Sequence, residues 1–281
     1  MRGEAKPLAP GLYLVATPIG NLGDITLRAL RVLAEADVVL AEDTRVSGKL
    51  LAAHNVKARL ERYDEHAAAR IRPRLLASLA AGARIALISD AGTPLVSDPG
   101  YRLVKEALAQ GSEVFPIPGA SAVMAALTIA GLPTDRFLFA GFPPSRASAR
   151  TAFLEELAAV RATLIFFEGG SRLAASLTAM SEVFGPREAA VARELTKLHE
   201  TVVRGSLEDL AKDVRFAAPR GEIVVVVGPG ADEAATDAQA DAALGEALTR
   251  LGPAAAVAEV ARALRLPRRG LYARALALRG R

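Results

Sequence analysis

The first 130 residues alternate short apolar segments with longer helical stretches, and this alternation is the strongest constraint on the fold. The apolar segments have the length and the β-branched content of buried strands, whereas the stretches between them have helical periodicity. Strands that alternate with crossover helices form a parallel sheet with helices on its faces. We therefore predict an α/β domain with strands at 11–17, 37–41, 57–62, 83–89 and 112–117 and helices at 25–36, 47–53, 67–81, 98–110 and 121–130.

A second set of strands follows the Gly-Leu-Pro-Thr segment at 131–134. Two of these strands, 188–194 and 200–205, are joined by about five residues, which is too short for a crossover helix. An antiparallel pair is therefore expected, and with it a mixed sheet in a second α/β domain. The predicted strands of this domain are 136–142, 162–168, 188–194, 200–205 and 222–228.

The C-terminal part of the chain has a different pattern. Residues 229–237 are rich in Gly, Ala and acidic residues and resemble a linker, and three short helices are predicted near 238–250, 254–264 and 268–278. The predicted domains are thus 11–120, 121–229 and a small helical domain at 237–281.

The net charge of +4 lies entirely in the C-terminal helical domain. From residue 237 onward there are eight arginines and four acidic residues, so the remainder of the chain is neutral. Arginine-rich segments can neutralise the phosphates of a nucleic acid. Solvated helical faces have the same composition, so the charge alone leaves both interpretations open.

The composition also limits the chemistry that we expect. The chain has no cysteine, and its three histidines, His54, His66 and His199, are far apart, so neither a disulfide nor a metal site is expected. No apolar run approaches the roughly 20 residues of a membrane span, and the N-terminus lacks an apolar signal core. A soluble, cytoplasmic protein is expected.

Five consecutive strands end in loops that carry glycines, carboxylates or a histidine. In a parallel sheet these loops meet at one edge, where ligands bind. The first loop contains Gly20 and Gly23, which suits a close backbone approach to a ligand, but it matches neither the dinucleotide fingerprint nor the P-loop. The fourth loop contains Gly92 and two prolines, a rigid arrangement that suits a flat polar ligand such as adenosine. The five loops are 17–24, 42–45, 63–66, 89–100 and 118–121.

Helix capping explains some of the same residues without any ligand. Asp24 or Thr26 can cap the first helix, and Ser97 or Asp98 can cap the helix before residue 101. Ser121 can cap the helix that follows the fifth strand in the same way. Each loop alone is weak support for a binding site, whereas the five loops together are specific evidence for one.

Taken together, the motifs identify a resemblance to a known family. The chain resembles the tetrapyrrole methylase (class III) superfamily of S-adenosylmethionine-dependent methyltransferases, and it is most similar to the branch that methylates the ribose 2′-oxygen of a cytidine in 16S ribosomal RNA. The chain departs from the usual Glu-Ser-Pro-His-Arg motif, which is here Glu-Gly-Gly-Ser-Arg at 168–172, and Ala67 replaces a common Asn. The matching segments are 14–26, 41–45, 88–100, 116–122, 193–200 and 271–276.

The resemblance implies two α/β domains with the methyl donor, S-adenosylmethionine, between them, and a homodimer whose substrate is small-subunit ribosomal RNA. It also implies the residues that contact the donor. In the first domain and the start of the second these are Pro18, Ile19, Gly20, Asp90, Gly92, Thr93, Val96, Ser121 and Ala122. In the second domain they are Phe142, Glu168, Arg193 and the turn at 219–223, which includes Glu222.

Methyl transfer to a hydroxyl is an in-line displacement, and a weakly acidic ribose hydroxyl needs a proton acceptor or a positive neighbour. We predict Asp43 or Glu65 as the base, with Arg45 and Lys197 stabilising an oxyanion or a phosphate and His66 as a further candidate. Each residue also has a structural interpretation: Asp43 can cap the next helix, Arg45 can pair with it, and Lys197 can lie in a solvated turn.

Two other functions remain open at this point. One is a methylase of a porphyrin or corrin precursor, because fold alone does not identify the substrate. The other is a non-catalytic RNA-binding or ribosome-associated module that retains a donor pocket. The basic C-terminal domain and the Ser-Asp-Ala-Gly-Thr-Pro segment at 89–94 favour the RNA methyltransferase. Deleting 237–281 is expected to weaken RNA association and its salt dependence without affecting donor binding.

Overall fold

The computed structural model describes residues 7–217, 219–230, 237–264 and 266–279, without the side chains of residues 65, 66 and 279. The chain divides into two compact units, the first of which ends at Gly230. The first unit contains two five-stranded sheets, and the second contains three helices. The division of the first unit into domains 11–120 and 121–229 stays a prediction.

The first sheet is parallel throughout, as predicted, with the strand order β3-β2-β4-β1-β5. Its strands are β1 (Gly11–Val15), β2 (Val38–Ala41), β3 (Leu60–Arg62), β4 (Arg84–Ile88) and β5 (Val114–Ile117). The helices that connect them are α1 (Leu27–Glu35), α2 (Thr44–Ala53), α3 (Glu65–Ala80) and α4 (Tyr101–Ala109).

Alternation along β1 explains why both faces of this sheet are buried. Leu12 packs into the core on one face, whereas Tyr13 and Val15 pack into the core on the other. Parallel sheets are covered on both sides by their crossover helices, so nearly every strand residue is apolar.

Helix capping agrees with the prediction at three of the four positions where it was expected, one of them Ser121, whose hydroxyl accepts from the Met124 amide at the start of the helix after the fifth strand. The Thr26 hydroxyl caps α1 by accepting from the Ala29 amide, and the Asp43 carboxylate caps α2 by accepting from the Arg45 amide. The prediction that Ser97 or Asp98 caps α4 is wrong, because the residue at the cap is Gly100, with φ of 132° and no side-chain hydrogen bond. Leu95 and Ser97 have positive φ, so the chain turns repeatedly before α4 begins.

The second sheet is mixed, as predicted, with the order β6-β7-β10-β8-β9. β6 and β7 are parallel, and the other neighbours, including the expected β8–β9 pair, are antiparallel. The strands are β6 (Phe137–Gly141), β7 (Thr163–Gly169), β8 (Glu188–Arg193), β9 (Thr201–Ser206) and β10 (Glu222–Val227). The helices are α5 (Ala122–Ala130) and three that the sequence analysis did not place, α6 (Ala147–Ala158), α7 (Gly170–Phe184) and α8 (Leu207–Lys212).

Helix α5 packs on one face of the second sheet, where Val123 and Leu127 join Ile165, Val224 and Val226 in one buried cluster. The first residues of α5 directly follow the loop after β5. The helix therefore connects the edge of the first sheet to the face of the second.

The second unit consists of α9 (Asp237–Arg250), α10 (Pro253–Leu264) and α11 (Arg268–Arg279), close to the three predicted helices. Leu244, Val257, Val260 and Leu271 form its small core together with buried alanines. Of the predicted linker, residues 231–236 lie outside the described residues. No helix in the described ranges is both long enough and apolar enough to cross a membrane.

Candidate functional site

The loops after β1 and β4 meet at the carboxyl edge of the first sheet. The Thr17 amide donates to the Gly92 carbonyl at 2.9 Å, and the Gly92 amide donates to the Thr17 carbonyl at 3.0 Å. Strands β1 and β4 are neighbours in the sheet. The chain continues from β1 to β2 and from β4 to β5, and β2 and β5 lie on opposite flanks of the β4–β1 pair, so the two connections run in opposite directions. Ligands of open α/β sheets bind at such a switch point.

A cavity of about 290 Å³ lies at this edge, and we call it the inter-sheet cavity. Its size is near the lower end of the range for small-molecule sites, which is roughly 300–1,000 Å³. The loops of the first sheet form one side of it, and the second sheet forms the other. The lining residues are Ile19, Asp90, Ala91, Gly92, Thr93, Val96, Ser97, Asp98, Ser121, Ala122, Val123, Phe142, Phe167, Glu168, Leu195, Glu222, Ile223 and Val224.

Most of the predicted donor contacts meet in this cavity. Ten of the thirteen line it, and Pro18, Gly20 and Arg193 do not. Arg193 instead donates from Nε to the Arg220 carbonyl at 2.7 Å, which holds the turn before β10. The assignment of the thirteen residues as donor contacts stays a prediction. The ten residues in the lining are Ile19, Asp90, Gly92, Thr93, Val96, Ser121, Ala122, Phe142, Glu168 and Glu222.

One wall of the inter-sheet cavity is aromatic. A bulge shifts the β6–β7 register between Phe139 and Gly141, where Gly141 has φ of 72°. Phe142 follows this bulge and meets Phe167 edge to face at 5.5 Å between ring centroids. Bulges commonly re-aim the next side chain, and here the outcome is an apolar wall against which a flat heterocycle can stack.

Four carboxylates also line the inter-sheet cavity, and three of them are held by the protein. Asp90 Oδ1 accepts from the Asp43 amide at 3.0 Å. Glu168, whose side chain is 1% exposed, pairs with Arg172 at 2.7 Å and accepts from the Ser176 hydroxyl at 2.5 Å. Glu222 pairs with Lys197 at 2.9 Å. The Glu-Gly-Gly-Ser-Arg segment at 168–172, which differs from the usual family motif, thus has an ion pair between its first and last residues.

Asp98 is the fourth carboxylate, and its environment is different. The pKa of Asp98 is raised to about 6, most of all by burial and then by the nearby carboxylates of Glu42 and Asp90, while a hydrogen bond with the Ser89 side chain acts in the opposite direction. From the sequence, Asp98 was expected only as a helix cap. An aspartate in a Ser-Asp-Pro-Gly turn gives no other signal, so its position in the cavity could not be inferred.

A second, polar cavity adjoins the first and shares Asp90 with it. Arg45 and Arg62 present largely exposed guanidinium groups on its rim, with 87% and 69% of the side chain exposed. Arg45 pairs with Asp43 at 2.6 Å, and Arg62 pairs with Asp64 at 2.5 Å. The polar cavity is lined by Glu42, Asp43, Thr44, Arg45, Arg62, Asp64 and Asp90.

Of the predicted catalytic residues, Asp43 and Arg45 therefore lie in the polar cavity. The Arg45 guanidinium holds the pKa of Asp43 well below its usual range, which makes this carboxylate a weak proton acceptor. The side chains of Glu65 and His66 lie outside the described residues. Sequence reasoning missed Arg62, because a single arginine at the end of a strand carries no distinctive pattern. In the described part of the chain, no three His, Asp or Glu side chains are grouped as a metal site requires.

Lys197 lies in neither cavity lining, in the loop between β8 and β9. Its ammonium group bridges Glu194 and Glu222 at 2.9 Å each, so the described contacts of Lys197 are with carboxylates. These two carboxylates raise the pKa of Lys197, although burial acts in the opposite direction. Its predicted role at an oxyanion or a phosphate stays a prediction.

The same β8–β9 loop packs closely on the loop after β1. The Asn21 amide donates to Thr196 Oγ1 at 3.1 Å. A Cβ atom added at Gly20 would overlap Lys197 Cγ and would lie 3.0 Å from the Leu195 carbonyl oxygen. The close approach at Gly20 that the sequence suggested is therefore made to a protein loop.

Backbone strain is concentrated around the inter-sheet cavity. Among the described residues, five non-glycine residues have positive φ, and four of them are Leu95, Ser97, Glu194 and Thr196. Such conformations cost of order 1–3 kcal/mol each and persist where the surroundings hold them, which is common at binding sites. Both loops that carry this strain contribute residues to the cavity wall.

Two family models match the chain. Residues 11–211 match the model of tetrapyrrole (corrin/porphyrin) methylases, and residues 234–279 match a model described as the RsmI C-terminal HTH domain. The first match covers the first sheet and the second sheet as far as α8, without β10, and the second match covers the three-helix unit.

Curated relatives agree with these matches over nearly the full length. A protein of Mesorhizobium japonicum named ribosomal RNA small subunit methyltransferase I is 53% identical over 277 residues, covering 98% of this chain and 94% of the relative. A protein of Erythrobacter litoralis with the same name is 52% identical over 276 residues, covering 98% of each chain.

Solved structures share the two-sheet fold. Uroporphyrin-III-C-methyltransferase from Thermus thermophilus is 26% identical with a TM-score of 0.56, covering 78% of this chain and 94% of that one. Diphthine synthase has a TM-score of 0.61 at 19% identity, covering 77% of this chain and 89% of that one, which establishes a shared fold only. From the sequence relatives and the family models together, this chain belongs to the tetrapyrrole methylase family, within the group named ribosomal RNA small subunit methyltransferase I.

Proposed function

We propose that this protein transfers the methyl group of S-adenosylmethionine to the ribose 2′-oxygen of a cytidine in small-subunit ribosomal RNA. The observation that carries this proposal is the identity of 53% over 277 residues to a relative named for methylation of small-subunit ribosomal RNA. The proposed setting is the cytoplasm, where the small ribosomal subunit is found.

The inter-sheet cavity supports the choice of methyl donor. Its aromatic wall at Phe142 and Phe167 suits an adenine ring, and the exposed backbone of the loop at 90–93 offers hydrogen-bonding groups. Its four carboxylates suit a ligand that carries a sulfonium and an ammonium group, because opposite charges attract strongly in a partly buried site. When bound, S-adenosylmethionine supplies an electrophilic methyl group, and the chain supplies the position and the proton acceptor.

Transfer of tritium from labelled S-adenosylmethionine is the test of this function. Small ribosomal subunits and a porphyrin precursor are each incubated with the protein, and the label in each is counted. Label in the RNA at a ribose 2′-oxygen supports the proposal. Label only in the tetrapyrrole identifies a small-molecule methylase, and donor binding without any transfer identifies a non-catalytic module.

The three-helix unit supports an RNA substrate through the arrangement of its arginines. Arg250 pairs with Glu259, and Arg274 pairs with Asp237 and Asp241, so these two arginines stabilise the unit itself. Arg262, Arg268 and Arg269 are exposed and have no ion-pair partner among the described residues.

The position of Arg268 and Arg269 supports the proposal that they contact the RNA. They open α11, where positive charge is unfavourable because the helix dipole already places partial positive charge there. The same helix end attracts anions such as phosphate. Helix α11 follows α10 after three residues, and in a helix-turn-helix the second helix is the one that contacts the nucleic acid.

Arg268→Ala combined with Arg269→Ala is expected to weaken RNA binding about tenfold and to lower the salt dependence of the association constant. Each arginine that neutralises a phosphate contributes about one unit to that slope. Binding is measured by fluorescence anisotropy with a labelled RNA fragment over a range of salt concentrations. Donor affinity is expected to stay unchanged.

Ala238→Glu combined with Ala242→Glu provides a matched control. Both alanines are exposed on α9, and this pair lowers the net charge of the same unit by the same two charges. A local phosphate contact predicts a much smaller effect for the control. Equal losses in the two variants would mean that the arginines act only through overall charge.

We also propose that the protein works as a homodimer, as the family resemblance implies. Phe137 and Leu138 on the edge strand β6, and Met124 on α5, are exposed apolar side chains that a second copy could cover. Sedimentation equilibrium should give twice the chain mass of 29.3 kDa. A monomer at concentrations where transfer is fully active would contradict this.

A further inference from the structure

We propose that Asp98 is the proton acceptor for the ribose hydroxyl during methyl transfer. This inference rests on the proposed function, because it assigns a role at that same site. Asp98 was not among the predicted donor contacts, and it does not cap α4, whose N-cap residue is Gly100 without a side-chain hydrogen bond.

Of the four carboxylates that line the inter-sheet cavity, Asp98 is the most available to accept a proton. A carboxylate that is not already engaged by a cation or a backbone amide has the most lone pairs available for an incoming proton. Asp90 accepts from a backbone amide, Glu168 is paired with Arg172, and Glu222 is paired with Lys197. In the described part of the chain, Asp98 is the one of the four whose carboxylate has neither a cation nor a backbone amide; its partner is the Ser89 hydroxyl, which leaves other lone pairs free.

Asp98 also lies where the two reactants must meet. It lines the inter-sheet cavity, which we assign to the donor, and it is close enough to Glu42 of the polar cavity to sense its charge. Asp90 belongs to both cavities and so marks their junction. A ribose that enters through the polar cavity would present its hydroxyl to the donor at this junction, beside Asp98.

The alternative bases are less suited to this task. Asp43 is held by Arg45 and has a strongly lowered pKa, so it binds a proton weakly. Asp98, in contrast, has a pKa raised to about 6, which is close to neutral pH and favours efficient proton transfer there. At neutral pH the Asp98 carboxyl is mostly ionised and therefore ready to accept.

The proposed step balances without any further reactant. The ribose 2′-oxygen forms its bond to the methyl carbon of S-adenosylmethionine while the bond from that carbon to sulfur breaks. The bonding electron pair stays on sulfur and neutralises the sulfonium, and the hydroxyl proton passes to the Asp98 carboxylate. Release of this proton to water returns Asp98 to its ionised form.

The charged groups around Asp98 determine how the rate depends on pH. Glu42 at the end of β2 and Asp90 after β4 are both acidic, and across the cavity the second sheet presents Glu168 and Glu222. Because the pKa is raised to about 6, lowering the pH through this value protonates the base and removes the active form. The value of kcat/KM for the donor is therefore expected to fall about tenfold per pH unit below about pH 6.

The pH profiles of kcat and of kcat/KM are expected to differ. A bound sulfonium beside Asp98 stabilises the carboxylate and lowers its pKa. The acid limb of kcat, which reports the complex, is therefore expected at lower pH than the limb of kcat/KM, which reports the free enzyme.

Asp98→Asn is the decisive variant. We expect kcat to fall at least about 100-fold and the acid limb to disappear, while the Kd for S-adenosylmethionine rises by no more than the factor that separates the two acid limbs, about tenfold or less. Asp98→Glu should restore part of the rate together with a titrating limb. Asp135→Asn, the same change at an exposed residue outside both cavities, is the matched control and should behave as the unmodified protein.

The outcomes distinguish this inference from the proposed function. If the unmodified protein does not methylate RNA, the proposed function fails. If it does and Asp98→Asn keeps both its rate and the acid limb, another group accepts the proton. If Asp98→Asn loses donor binding or its melting transition along with the rate, Asp98 is a binding or structural residue, and the inference is also overturned.

Discussion

Replacing Ala122 with phenylalanine is expected to abolish binding of S-adenosylmethionine while both sheets stay folded. Ala122 is the first residue of α5 and lines the inter-sheet cavity. A phenyl ring at this position enters a cavity of only about 290 Å³ and occupies space that the donor needs. Because the ring fills open space instead of a packed core, the overpacking cost of roughly 1–3 kcal/mol should be largely avoided.

Isothermal titration calorimetry measures this effect directly. The Kd for the donor is expected to rise at least 100-fold, the equivalent of about 2.7 kcal/mol, and the melting temperature to move by only a few degrees. Thr128→Phe provides the control, because Thr128 is exposed on the same helix and outside the cavity lining. Unchanged donor affinity in both variants would mean that the donor binds elsewhere, and equal losses in both would indicate damage to α5.

Most strands could be predicted closely because they are short apolar runs bounded by polar or glycine residues, whereas β3, predicted at 57–62, spans only Leu60–Arg62. The antiparallel β8–β9 pair followed from loop length alone, since five or so residues cannot hold a crossover helix. Helices α6 and α7 were not placed. In α6, a buried arginine, Arg150, lies beside the apolar positions, so the helix has no clean apolar face from which to predict it.

The proposed donor site could be predicted to the extent that it depends on strand ends. Parallel strands bring the loops at 17–24 and 89–100 to one edge whatever their contents, and most proposed contacts follow from that rule. The wall from the second sheet was less accessible to sequence reasoning. Phe167 and Leu195 line the cavity because of strand register and a strained loop, and neither feature has a local sequence pattern.

Asp98 and Gly20 show how local patterns mislead at such a site. Asp98 has the composition of a helix cap, but repeated turns at Leu95 and Ser97 carry it into the cavity. Gly20 has the composition of a ligand-binding loop, but its missing side chain makes room for the loop between β8 and β9. In both cases the deciding contact comes from residues distant in the sequence.

Gly20→Ala is expected to lower kcat/KM for the donor about 100-fold by separating the two walls of the inter-sheet cavity. The added methyl group would overlap Lys197 Cγ and lie 2.9 Å from Thr196 Oγ1, so the two loops must move apart. Ile19 and Leu195, the neighbours of these contact residues, both line the cavity and would move with them. Displacements of about 1 Å in a reacting site can cost that much in rate.

A double-mutant cycle with Lys197→Ala makes the Gly20 prediction specific. Removing the Lys197 side chain alone breaks its ion pairs with Glu194 and Glu222 but also removes the atom that the new methyl group would overlap. Steady-state kinetics should therefore show Gly20→Ala doing less harm in the Lys197→Ala protein than in the unmodified one. Gly23→Ala, in the same loop, meets only Asn21 Oδ1 at 3.2 Å and should leave kcat/KM nearly unchanged. Independent effects of the two substitutions would mean that Gly20 acts through the donor itself and not through the β8–β9 loop.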